Sequence, residues 1–381
     1  MSWEGRVGWC PSVVTPMEAH DGLLVRVKPT AATLPADALR AIADAASTYG
    51  NGQIDLTNRG NLQVRGLSRE TAETFADIVR SNGLASDNAA LEEVRNVAAD
   101  PLGSDDPAAI FDSHAIAHGI ETMLSRSEAL CALPPKFGFL VDCSPTMPIP
   151  DRHADIVVRA HGETLTIGLG GGTGRIACTS EEAPALAHRL AIVFLELAGP
   201  SDEPPYRMRD LVDTTSETAI LAEAGLTARP AFSAPSESNS RSHQCVSRHD
   251  NSGTVGCNPV RAAQIDLMYA PAPTDSPIGF VSFAGRNTGA VVTGAVSGRI
   301  GATALAELAS LSARYADATV RMTPWRALAF APINGDNAGS LLSALSDLGL
   351  ITDPTDPRRT MRRSVIAPAE GEAITPETLP R

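Results

Sequence analysis

Residues 55–67 read DLTNRGNLQVRGL. Alternation along a single strand puts Thr57, Arg59, Asn61, Gln63 and Arg65 on one side if no bulge intervenes, leaving Leu56, Leu62 and Val64 to the core. A surface strand ordinarily mixes signs, whereas from Thr57 to Arg65 this face carries two guanidiniums and amides and no carboxylate. Planar guanidinium forks match carboxylates and phosphates in two-point contacts. The face therefore suits an anionic ligand with several acceptors, and the plainer alternative is an ordinary solvated strand face.

Other chemistry is sparse. The six cysteines are Cys10, Cys131, Cys143, Cys178, Cys245 and Cys257. Cys131 and Cys143 have eleven residues between them, as do Cys245 and Cys257, far from the short spacings of cluster or zinc sites. Cys245 and Cys257 with His243 and His249 would be the best improvised metal site, but buried or loop thiols are the simpler expectation, and no metal ligand is assigned. GLGGGTG at 168–174 fails the GxGxxG spacing and lacks a following Lys-Ser or Lys-Thr, so a Gly-rich hairpin turn is expected there. The eight histidines form no HExxH.

Charge limits the partners. With 31 basic and 44 acidic residues the chain carries −13, which argues against nucleic acid or an anionic membrane surface. No window reaches the roughly 18 to 20 apolar residues that span a bilayer, and MSWEGRVGWCPS lacks the order of a secretory signal. The expected location is cytoplasmic, with reduced thiols. At 381 residues, two or three cores are expected.

The elements that would position the strand follow from periodicity. DGLLVRVKP reads as a strand, LPADALRAIADAASTYG as a helix closing at Gly50, and SRETAETFADIVRSNGL as a second helix started by Ser68 and stopped near Gly83. Residues 34–57 lie over 300–323 without a gap, at a constant offset of 266 that sets Leu39 on Leu305, Tyr49 on Tyr315 and Thr57 on Thr323. A helix, turn and strand agreeing in phase indicate an internal duplication packed about a pseudo-two-fold axis. Between the copies an α/β domain is expected, with a helix near SHAIAHGIETMLSR, strands at FGFLVDC, ADIVVRA and ETLTIGLG, and a helix at EEAPALAHRLAIVFLELAG.

DLTNRGNLQVRG resembles the strand shared by assimilatory sulfite and nitrite reductases and precorrin-3B synthases, in which arginines grip the carboxylates of a tetrapyrrole. WCPSVVTPMEAHDGLLVRVKP, VRNVAADPLG, LPPKFGFLVDC and MTPWRALAFAP agree in order. Cys-Pro followed by Pro-Met and DGLLVR, and FGF after Lys136, are more similar to precorrin-3B synthases than to the reductases. The resemblance implies an α+β fold in which two duplicated ferredoxin-like half-domains of the nitrite/sulfite reductase type flank an inserted α/β domain. The expected segments are 1–87, the first half-domain; 88–227, the inserted domain; 228–275, a flexible linker; 276–352, the second half-domain; and 353–381, a disordered tail.

Carried over residue by residue, Arg26, Arg95 and Lys136 match the family's cationic residues over the distal face of the macrocycle. Arg59, Asn61, Gln63 and Arg65 match the carboxylate-gripping strand, expected to face solvent. A structural ion pair is the alternative for Arg95 and a solvated loop lysine for Lys136. Trp325 and Arg326 fall on the corresponding strand of the second copy, where a core tryptophan is the expected role of Trp325. The implied activity is oxidoreductase chemistry of monooxygenase type on precorrin-3A, an anionic tetrapyrrole, with an unidentified electron donor. Siroheme is implied only for a reductase, and a non-catalytic tetrapyrrole-binding protein is a further alternative. The family holds a 4Fe-4S cluster on four cysteines that follow a segment like GLITDPTDPRR. This chain has no cysteine after Cys257, so those ligands and their domain are expected to be missing.

Overall fold

The computed structural model describes residues 11–151, 154–199, 205–227, 229–230 and 277–360. β1 (Met17–Ala19) and β2 (Gly22–Val27) form a hairpin, and β2 buries Leu24, Val25 and Val27. The short β3 (Thr33–Pro35) leads into α1 (Ala36–Tyr49), whose Leu39, Ile42, Ala43 and Ala46 make one buried stripe at helical spacing. Gly50 ends the helix as expected, for a packing reason: a Cβ there would lie 2.5 Å from the carbonyl oxygen of Arg65.

β4 (Gln53–Leu56) and β5 (Leu62–Leu67) follow, joined by a hairpin rather than running on as a single strand. The Thr57 amide donates to the Asn61 carbonyl at 2.9 Å, and the Thr57 hydroxyl accepts from the amides of Arg59 (3.3 Å) and Asn61 (3.0 Å). α2 (Arg69–Ser81) starts at Ser68, whose hydroxyl accepts from the Thr71 amide at 3.1 Å while Thr71 Oγ1 accepts from the Ser68 amide at 2.9 Å.

The insertion runs through α3 (Ala89–Val94), β6 (Val97–Ala99), α4 (Ser113–Leu124), β7 (Phe139–Asp142), β8 (Ile156–His161), β9 (Thr164–Leu169), β10 (Gly174–Cys178), α5 (Ala183–Ala198), α6 (Met208–Thr215), α7 (Glu217–Glu223) and β11 (Arg229–Pro230). Its sheet has the order β11-β10-β9-β8-β7-β6, parallel from β6 to β8 and antiparallel beyond. Phe137, Phe139 and Phe194 pack together beneath it, with ring centroids 5.6 and 4.8 Å apart. The Gly-rich stretch is the expected β9–β10 turn. Its Thr173 and Gly174 amides both donate to Glu217 at 2.9 Å.

The second copy contains β12 (Gly279–Ser282), β13 (Thr288–Gly294), β14 (Arg299–Gly301), α8 (Ala302–Tyr315), β15 (Thr319–Met322), β16 (Ala327–Asn334) and α9 (Gly335–Asp347). The offset of 266 holds element by element, carrying β3 onto β14, α1 onto α8, β4 onto β15 and α2 onto α9. It carries backbone torsions too: Ala31 and Ser297 have φ of 48° and 55°, Gly60 and Arg326 of 68° and 57°.

The copies exchange strands. β14 closes the first sheet, β1-β2-β5-β4-β14, by pairing Ile300 with Ile54. β3 closes the second, β12-β13-β16-β15-β3, by pairing Leu34 with Val320. The Ala302 amide donates to Gly52 and the equivalent Ala36 amide to Ala318, both at 2.8 Å. α1 and α8 pack on each other at the centre of one continuous apolar cluster.

Residues 353–360 were expected to open a disordered tail, yet they include a helical turn at Pro357–Thr360. The expected linker at 228–275, the His243/Cys245/His249/Cys257 grouping and the tail beyond 360 lie outside the described residues, apart from the short β11.

Leu39→Ala and Leu305→Ala, at equivalent fully buried positions, should each cost about 2–5 kcal/mol. Because each copy completes the other's sheet, calorimetry should show one transition for both copies in each variant. Separate transitions for the copies would contradict the shared-sheet architecture.

Candidate functional site: a cleft between the two copies

A cleft of about 1210 Å3 opens between the first sheet, the loops of the second copy at Gly294–Gly298 and Pro324–Ala327, and the 354–359 segment. Its polar wall is a row across four neighbouring strands. Arg26 on β2 pairs with Gln63 on β5, Gln63 with Asp55 on β4, and Asp55 with Arg299 on β14. Directly opposed residues share a face, so strand register alone brings these four side chains into line.

The row is not uniformly available. Arg299 grips Asp55 with two hydrogen bonds of 2.7 and 3.0 Å. Arg65, two residues beyond Gln63, grips Asp21 at 2.9 and 2.8 Å and lies 3.6 Å from Asp55 Oδ2. The hydrogen bond it donates to Asp21 holds the Arg65 guanidinium above its ordinary range. For Asp21, burial pushes the carboxyl up, but the hydrogen bond and charge of Arg65 outweigh it and the net shift is downward. Arg65 is 8% exposed, so the expectation of a solvent-facing arginine is corrected: its guanidinium braces the wall. Arg26 differs. Its Nε is buried without a hydrogen-bond partner, facing the cleft beside Gln63.

The hairpin divides the four predicted strand residues. Gln63 and Arg65 line the main cleft, while Arg59 and Asn61 line a smaller cavity of about 60 Å3 between the hairpin and the inserted domain, together with Lys28, Arg95 and Phe139. Arg95 there is committed to the protein. It donates to Glu92 at 2.9 Å, to the carbonyls of Lys28 (2.9 Å) and Leu84 (2.7 Å), and to Glu121 at 3.4 Å. Lys28 joins the same hub by donating to the Glu92 carbonyl at 2.6 Å. Lys136 sits half-buried in the loop before β7 and lines neither cavity. Trp325, expected in the core, is half-buried against two apolar clusters and also lines the cleft. With Arg326 it sits in the turn between β15 and β16 rather than on a strand.

Sequence reasoning assigned no role to Asp55, Arg299, Asp356 or Arg359. Asp55 and Arg299 sit on strands whose pairing is non-local. Asp356 and Arg359 lie in the segment read as disordered.

The cleft suits a large polyanion in volume and in donors, exceeding the roughly 300–1,000 Å3 of ordinary ligand pockets. The described cysteines do not suit an iron-sulfur cluster. Burial pushes the Cys131, Cys143 and Cys178 thiols up, Cys178 to about 11, away from the thiolate form that ligates iron. Among the described residues no three of His, Cys, Asp and Glu gather to hold a metal, and no helix is long and apolar enough to cross a membrane.

Residues 16–82 and 285–348 match the nitrite/sulfite reductase ferredoxin-like half domain, once in each copy. The chain fits the nitrite/sulfite reductase superfamily in fold as in sequence. The Mycobacterium tuberculosis NirA protein superposes with a TM-score of 0.65 at 18% identity, over 89% of this chain and 59% of that one. The chain is 35% identical over 170 residues to a precorrin-3B synthase of a Sinorhizobium species, covering 44% of this chain and 36% of that protein. It is 26% identical over 191 residues to the ferredoxin-nitrite reductase of Synechococcus elongatus, covering 49% and 36%. The matched region thus spans little more than a third of either relative.

Arg65→Ala would leave Asp21 and Asp55 short of a partner in the wall. A loss of about 1–3 kcal/mol is expected, read as a lowered melting temperature; an unchanged Tm would show that the network is not structural. A second expectation concerns Glu121, whose carboxyl burial pushes up from 4.5 to about 7 against the attraction of Arg95. A raised carboxyl binds its proton more tightly in the folded chain, so its contribution is complete below pH 4.5 and lost as pH rises through about 7. Melting curves of Glu121→Gln should accordingly fall less steeply over that window than those of the wild type, and parallel slopes would refute the assignment.

Proposed function

We propose that the cleft binds an anionic tetrapyrrole and that the chain is a precorrin-3B synthase-like oxidoreductase acting on precorrin-3A. The observation that carries this reading is the unpartnered Nε of Arg26 beside Gln63, in a cleft whose carboxylates are already engaged by arginines. The similarity to the Sinorhizobium precorrin-3B synthase supports it. A peripheral carboxylate of the ligand would complete Arg26, a charge-assisted contact of about 1.5–3 kcal/mol. Gln63 would donate to a second oxygen, and the half-buried Trp325 would offer an apolar face to the ring. Arg65 and Arg299 hold Asp55 away from the incoming carboxylates, which would otherwise meet a like charge.

In this reading the macrocycle is hydroxylated with oxygen and an acetate side chain closes a lactone. The resemblance implies a 4Fe-4S cluster for the family. The described thiols do not hold one, so the chain's own part is binding and orientation. A reductase-type reading, with siroheme in the same cleft, is favoured by the likeness to the cyanobacterial nitrite reductase.

The test is anaerobic titration with precorrin-3A, followed by absorption. Arg26→Gln should weaken binding at least tenfold while leaving Tm nearly unchanged, because no described hydrogen bond or ion pair of the guanidinium is lost. Equal affinity of both proteins would sink the clamp. Siroheme absorption in the purified chain would favour the reductase reading, and tight binding without turnover under oxygen with a reductant would indicate a non-catalytic binding protein.

A further inference from the structure

Among the described charges lining the cleft, Arg359 donates to the Pro354 carbonyl. Asp55 is held by Arg299 and Arg65, and Asp356 is held by Arg358 through contacts of 3.0 and 2.7 Å. The segment that carries Asp356 therefore brings its own counter-ion. Among the described residues, no hydrogen bond or ion pair engages the Arg326 side chain, which is exposed and lines the same cleft as Arg26. Arg26 comes from the first copy and Arg326 from the second.

The backbone around Arg326 is built for this placement. Arg326 has φ of +57° in the β15–β16 turn, where the first copy has Gly60 at +68°. A side chain in the left-handed region is disfavoured by roughly 1–2 kcal/mol, and the duplicate shows that glycine serves the turn. Beneath Arg326 lies Gly298, also left-handed, where a Cβ would come within 2.9 Å of Arg326 Cδ and 3.3 Å of its Cβ. At the position of Gly298 the first copy has Ala32. The second copy thus places an arginine where the first has a glycine, and a glycine where the first has an alanine, so that an extended guanidinium arm fits beside the cleft.

We infer that Arg326 is a second carboxylate-gripping residue, which with Arg26 fixes the rotational register of a ligand bearing acidic groups on more than one edge. The inference rests on the tetrapyrrole reading of the cleft. An arginine at one point would leave a ring with many equivalent carboxylates free to turn about it, whereas two separated guanidiniums select the orientations in which both are met.

The test uses the full chain and two probes: uroporphyrin, with acidic groups all round the ring, and deuteroporphyrin, with acidic groups along one edge. Tryptophan quenching or porphyrin absorption reports binding. Arg326→Gly should lose about tenfold or more in affinity for uroporphyrin, while its Tm rises by a few degrees, roughly, because the left-handed strain is relieved. A merely structural arginine would not separate the two readouts in opposite directions. The double variant with Arg26→Gln should lose the product of the single effects for uroporphyrin. For deuteroporphyrin each single change should matter less than threefold, roughly, since one arginine can replace the other. Unchanged uroporphyrin affinity in Arg326→Gly with a loss in Arg26→Gln would overturn the second grip and leave the proposed function standing. Failure of the wild-type chain to bind either probe would overturn both.

Discussion

Neither copy of the duplicated unit completes its own sheet. β14 must leave the second copy to pair Ile300 with Ile54, and β3 must leave the first to pair Leu34 with Val320. All four of those residues are nearly or wholly buried, so the exchange is cemented by apolar packing as well as by ladder hydrogen bonds. It also sets the relative position of the two copies, and hence the cleft between them. The ion pair between Asp55 and Arg299 is a direct product of this arrangement, because no register within the first copy could bring those side chains together.

The duplication is symmetric in backbone and asymmetric in chemistry. Under the same offset, Arg26, Gln63 and Arg65 become Val292, Ala329 and Ala331. The pairing register is retained, with Arg26 opposite Gln63 in one sheet and Val292 opposite Ala329 in the other. In the second copy this face is buried against Leu102 and Met147 of the inserted region. One face therefore receives a ligand while its equivalent receives protein, and the chain offers a single polar wall despite its two-fold architecture.

Much of this was legible in the sequence because it is local. The helices, the offset of 266 and the Gly-rich turn depend on spacing within about fifteen residues, where propensity and apolar periodicity act directly. The hairpin at Thr57–Asn61 escaped because polar alternation runs unbroken through the turn; the hint was Gly60, whose positive φ a strand interior would not use. The commitment of Arg65 to Asp21 escaped because charge pairing across 44 positions leaves no periodic trace. The strand exchange escaped because its three-residue strands are too short to announce a partner. Arg326 was within reach, since the offset sets it on Gly60, but a contrast between arginine and glycine means little until the turn's left-handed torsion is known.

The exchange also bears on how the chain is made. During synthesis the first copy emerges with β4 as an unpaired sheet edge, and Ile54 waits for Ile300 to leave the ribosome. At about 5–20 residues per second that interval is on the order of 10 to 50 s. Through it, an apolar strand edge stands open to any other chain with a matching edge. The same pairing that joins the finished copies therefore leaves the nascent chain open to edge-to-edge association, and the inserted domain, whose described strands all pair inside residues 97–230, is the part that can finish folding while the first copy waits.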